Sequence, residues 1–165
     1  MAAMNGTHRL LPSLLDRLLD DEPQHSVEPV TRRSFSLAEY KARIVRDLET
    51  LVNTRQSPLA NRLEDFPALR GSILEYGMPD FTSRGVLDPA DRQLIQRQLE
   101  RAIEVGDRRF RHVRVQLLGQ EAEQSRRMLT FRVDAVLRLQ DVSRQVSFDA
   151  VLRINTQEYS VQNLN

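Results

Sequence analysis

The residues best suited to chemistry stand together in "GDRRFRHVRV", residues 106–115. Arg108, Arg109, Arg111 and Arg114 lie there with Asp107 and His112. A guanidinium group binds phosphate or carboxylate through forked hydrogen bonds, and it also bonds backbone carbonyls. The cluster therefore suits a polyanion site, an anchor on another protein, or an ordinary solvated strand start. The whole chain carries a formal charge of only +1, and Phe110 is the one aromatic residue nearby. Nucleic-acid sites draw on a wider basic surface and usually on stacking rings. Nucleic acid is set aside on these grounds, and the other two uses stay open.

Carboxylates are the next candidates. Glu64, Asp65, Glu75 and Asp80 fall in a stretch without regular periodicity, where an active site can sit. Two carboxylates hydrolyse a glycosidic bond when their surroundings split their pKa values. Most carboxylates in such a stretch are solvated or cap local turns, so no catalytic residue is assigned. There is no cysteine, which excludes disulfides and thiolate metal sites. His8, His25 and His112 lack metal-ligand spacing. Walker, GxGxxG and GxSxG motifs are absent, and neither a metal nor a cofactor is expected.

The elements that would position these groups can be read from periodicity. The chain has 165 residues, 40% hydrophobic and 28% charged, enough for one domain with a modest core and a tail. In "LLPSLLDRLLDD", Leu10, Leu11, Leu14, Leu15, Leu18 and Leu19 share one helical face, with Ser13 and Asp16 placed to cap it. A helix this short is marginal alone and must dock on its own core or on a partner. Residues 20–35 hold two prolines and read as a linker, dividing the chain into 1–35 and 36–165. The tether favours the partner.

Ser36 and Glu39 make a capping box for a helix running to about Asn53, with Leu37, Tyr40, Ile44, Leu48 and Leu51 at helical spacing. "ANRLEDFPALR" suits a helical turn and "SIL" a short strand. Asp88 and Pro89 open a second helix that Gly106 stops. The period then changes to two. Strands follow at "HVRVQLL", "MLTFRVDAVLRL" and "VSFDAVLRI", the last two joined by a loop at "QDVSRQ". Twelve residues at ~3.3 Å each give a hairpin arm of roughly 40 Å, long for this domain size. A projecting edge of that kind invites another strand. The predicted fold class is α+β: two main helices followed by an antiparallel sheet with a long C-terminal hairpin, plus a short N-terminal amphipathic helix. The N-terminus does not read as a signal peptide, and no apolar run reaches the ~20 residues of a membrane span. A cytoplasmic protein without membrane insertion is expected.

Four segments in order, "SLLDRLLDD", "DLETLVNTR", "SILEYGMPDF" and "AIEVGDRRFRHVRVQL", resemble the TssE family, baseplate subunits of the bacterial type VI secretion system. That family is related to the lysozyme-like wedge protein of contractile phage tails. The resemblance runs from about Leu11 to Val161. It implies a structural role in a cytoplasmic wedge with TssF, TssG and TssK, and strands that receive a strand from the sheath proteins TssB and TssC. The family's Glu-Pro-Arg signature aligns with Asp107, Arg108 and Arg109, of which only the last residue matches. It implies that these three residues grip the wedge core, and that Asn53 and Arg55, with Leu11, Leu14, Leu15 and Leu18, meet partners. Charge reversal at Arg109 is then expected to weaken wedge incorporation without unfolding the chain. The alternative that the family's history suggests is a muramidase acting through Glu64 or Glu75.

Overall fold

Local capping chemistry sets the helix starts. In the computed structural model, Ser36 N donates to Glu39 Oε2 at 2.8 Å and Glu39 N donates to Ser36 Oγ at 3.2 Å, the reciprocal bonds of a capping box. The structure describes residues 13–18, 24, 35–80, 88–119, 128–139 and 142–165. The helices are α1 (Leu14–Leu18), α2 (Leu37–Asn53) and α3 (Pro89–Gly106). Four strands, β1 (Phe110–Leu117), β2 (Met128–Leu139), β3 (Val142–Arg153) and β4 (Glu158–Gln162), form one antiparallel sheet in sequence order. The α+β class expected from the sequence is the one observed.

The chain forms two compact units, Met1–Ile44 and Val45–Asn165. In the first, Ser13 and Asp16 cap α1 reciprocally, and Arg43 holds Asp16 at 2.8 Å while its guanidinium lies 4.3 Å above the centre of the Phe35 ring. Leu10, Leu11, Leu19 and most of the 20–35 linker lie outside the described residues.

In the second unit the core is built from the alternate residues of the strands. Phe131, Val133, Ala135 and Leu137 of β2 and Phe148, Ala150 and Leu152 of β3 are buried on one face. The buried stripes of α2 (Leu48, Leu51, Val52) and α3 (Ile95, Leu99, Ala102, Ile103) complete it. Asp88 accepts from Ala90 N at 2.9 Å and Pro89 takes the first helical position, as the sequence predicts for α3. Gly106 is still helical. Its hydrogen atom matters because a Cβ there would collide with the Leu51 side chain, so it permits close packing of α2 on α3.

Three local expectations change, and the helical turn expected in "ANRLEDFPALR" is found. "SIL" is no strand: Ile73–Glu75 is a 3-10 helix, capped by Ser72, whose Oγ accepts from Leu74 N. "ANRLEDFPALR" falls across two further 3-10 helices, Pro58–Arg62 and Pro67–Leu69, each begun by a proline. Strand β3 starts at Val142, so "VSRQ" pairs with β2 instead of forming the loop. No glycine or proline interrupts it, and a polar sequence does not prevent a ladder. Strand β4 has no counterpart in the sequence reading. Five residues with Tyr159 and Val161 buried give too short an alternation to distinguish.

Candidate functional site

The turn from α3 into β1 carries the Asp-Arg-Arg triplet. Asp107 follows the helix with extended dihedrals, and its N–H still donates to Ile103 O. Its carboxylate accepts the Arg109 backbone N–H at 3.0 Å and the Arg109 guanidinium at Nε and Nη2, 3.0 and 2.6 Å. Arg109 Nη2 also donates to Asp47 Oδ2 of α2 at 2.9 Å, and Arg46 holds the other Asp47 oxygen at 2.8 Å. Burial works against the Arg109 charge, but Asp107 and then Asp47 outweigh it and raise its pKa, so the guanidinium stays charged. Tyr76 borders the same group: burial first, then Asp47 and Asp107, raise its hydroxyl pKa.

Arg109 is thus a clamp within the chain, one-quarter exposed, tying the α3–β1 turn to α2. Arg108 is exposed. It shares a shallow cleft with Ile73 and Tyr76, and Ile73 is 78% exposed. An apolar side chain beside a guanidinium is a surface a protein partner can cover. The sequence reading missed Ile73 because it placed "SIL" in a short strand, where the structure has a 3-10 helix.

A bulge lies just beyond. Arg111 pairs with Val136 but Arg114 pairs with Asp134, so β1 holds one extra residue, and His112 adopts φ 52°. The extra residue lets Phe110 and Val113, three apart, both face the core, where Phe110 packs edge-on to Phe148 at 6.0 Å. Arg111 and Arg114 are left on the exposed side.

The other named residues are scattered. Asn53 and Arg55 line a cleft of about 410 Å³ with Asp80 and Glu158. Arg55 is mostly exposed, 3.8 Å from Asp80. Leu14, Leu15 and Leu18 are exposed on α1 at 76, 51 and 74%. Leu11 lies outside the described residues.

The strand edges complete the picture. Tyr159 and Val161 turn their backbones away from β3 toward α2, so Glu158, Ser160 and Gln162 face the odd-numbered residues of β3. That lane is filled opposite Asp149, Val151 and Arg153, and Asn165 N donates to Ser147 O at 3.1 Å. Beyond it, the outward N–H and C=O groups of Gln145 and Ser143 meet no other described residue. Both side chains are exposed.

The carboxylates fare differently. Glu64 and Glu75 line one cleft of about 480 Å³ with Arg101 and Gln98. Glu75 is buried, bonded by the Gly71 N–H and by Arg101, and these bonds, in that order of weight, hold its carboxyl below the usual range. A glycosidase acid requires a raised value. A depressed folded-state pKa means that Glu75 stabilises the fold above the unfolded value of about 4.3 and loses that contribution as pH falls through the lower folded value. Glu75→Gln is expected to lower stability by on the order of 1–2 kcal/mol at pH 7. Urea unfolding at pH 7 and pH 3 should show the deficit shrinking in acid; an equal deficit at both would refute the ionised role.

Among the described residues no group of His, Asp and Glu is arranged to hold a metal, and no helix is long and apolar enough to cross a membrane. A family model described as "Baseplate wedge protein gp25" matches residues 38–142. No curated protein and no solved structure matches the chain.

Proposed function

The chain belongs to the baseplate wedge protein gp25 family, and from that premise we propose that it is a TssE-like structural subunit of a type VI secretion baseplate. In this reading it sits in the cytoplasm with TssF, TssG and TssK, joins the wedge to the contractile sheath, and nucleates sheath growth by receiving a strand from TssB or TssC. It performs no catalysis. The observation that carries the reading is the lane beside β3 that no other described residue fills, where Gln145 and Ser143 present backbone donors and acceptors in line with β4. An extended chain satisfies such a row, and covering it removes an aggregation hazard.

Arg108 with Ile73, and the exposed leucines of α1, are the surfaces we assign to the wedge partners. The pair Asp107–Arg109 supports the first indirectly by fixing the turn from which Arg108 projects. Arg55 with Asn53 offers a further polar rim. Arg108→Glu, and separately Leu14→Asp with Leu18→Asp, are expected to retain the parent melting temperature and lose most co-purification with TssF and TssG. Undiminished co-purification of both variants would remove these surfaces from the account.

One observation favours a second reading, a muramidase: Glu64 and Glu75 share a cleft. The lowered pKa of Glu75 opposes it. Sustained peptidoglycan release by the purified chain, lost in Glu75→Gln, would establish the enzyme instead.

A further inference from the structure

The two outermost strands of the sheet are closed in the same manner. Asn53 Nδ2 donates to Tyr159 O at 3.0 Å and Asn53 Oδ1 accepts from Tyr159 N at 2.8 Å. One turn earlier on α2, Glu49 Oε1 accepts from Val161 N at 2.9 Å. Across the sheet, Gln96 Nε2 of α3 donates to Val115 O at 2.7 Å, and Glu100 Oε2 accepts from Val115 N at 3.2 Å. Each outer strand thus meets a helical pair at i and i+4, the spacing that puts two side chains on one helix face. A carboxamide offers both the donor and the acceptor of a peptide unit and a carboxylate offers the acceptor, so each pair stands in for a neighbouring strand.

We propose that Glu49–Asn53 and Gln96–Glu100 are edge latches, which keep β4 and β1 closed to strand pairing while the subunit is free. Unpaired edges are templates for pairing with another chain, and a second copy of this chain is the partner most available to a free subunit. The latches direct strand addition away from the outer strands and leave the Ser143–Gln145 stretch of β3, whose outward groups meet no other described residue, as the edge that accepts a strand without displacing a described bond. The inference concerns the free chain and stands whether or not the β3 lane meets a sheath.

Residue-resolved amide hydrogen exchange on the full chain tests it. In the parent, the Tyr159, Val161 and Val115 amides should be protected, at a level independent of protein concentration. In Glu49→Ala with Asn53→Ala, Tyr159 and Val161 should exchange at least tenfold faster in dilute solution, with β2–β3 amides unchanged. Their exchange should slow again as concentration rises and copies pair edge to edge. Gln96→Ala with Glu100→Ala should do the same at Val115, so the idea survives misfolding of one variant. Fast exchange at these amides in the parent would overturn the proposal. So would parent-level protection in a folded latch variant, or protection that does not return with concentration.

Discussion

Arg109→Glu is expected to destabilise the fold by on the order of 3–5 kcal/mol. The change removes the guanidinium that joins Asp107 to Asp47 and leaves three carboxylates at a partly buried turn. Asp107 and Asp47 are 14 and 18% exposed, so water screens their repulsion poorly. The expectation from sequence, that reversal here spares the fold, is therefore replaced. The informative comparison is Arg108→Glu, whose exposed position predicts a change within about 0.5 kcal/mol. Urea unfolding of both variants decides the matter. Parent-like stability of Arg109→Glu would mean that the clamp does not hold the turn, and Arg109 would return to the list of direct partner contacts.

Gln145→Pro is expected to abolish sheath assembly while leaving a folded subunit. The Gln145 N–H points into the lane that no other described residue fills, so proline there removes no bond to β2, and its ring blocks an incoming strand. Val146→Pro is the control. The Val146 N–H faces Ala135 across the β2–β3 ladder, and its loss should unfold the hairpin. Sheath assembly in cells making Gln145→Pro at parent levels would remove the lane from the proposal, whatever becomes of Val146→Pro.

What could be read from the sequence was what depends on near neighbours. Ser36 with Glu39, and Asp88 with Pro89, act within one helical turn, and both mark their helices correctly. The alternation of β2 was plain because each second residue is apolar for the strand's full length. What escaped rests on distant partners. Asp47 lies 62 residues before Arg109, and nothing in "RDLET" marks it as the clamp's second acid. The resemblance assigns Asn53 to partners and Glu49 draws no assignment, yet they meet backbone 106 and 112 residues away within the chain. In the sequence Phe110 stands only as a neighbour of arginines; the bulge at His112 lets it face the core together with Val113. The open backbone beside Gln145, met by no other described residue, is a property of the pairing pattern, legible only once β4 is known to stop opposite Asp149.

The central claim is that β3 receives a strand of the sheath at Gln145. Because the chain has no cysteine, Gln145→Cys supplies a unique reporter. The measurement is its alkylation rate in the purified subunit and in isolated baseplates carrying sheath. The account predicts rapid alkylation in the free subunit and at least tenfold protection in the sheathed particle, with a short bifunctional thiol–amine cross-linker joining Gln145→Cys to a sheath subunit. Equal alkylation in both states, with no cross-link to the sheath, would contradict it.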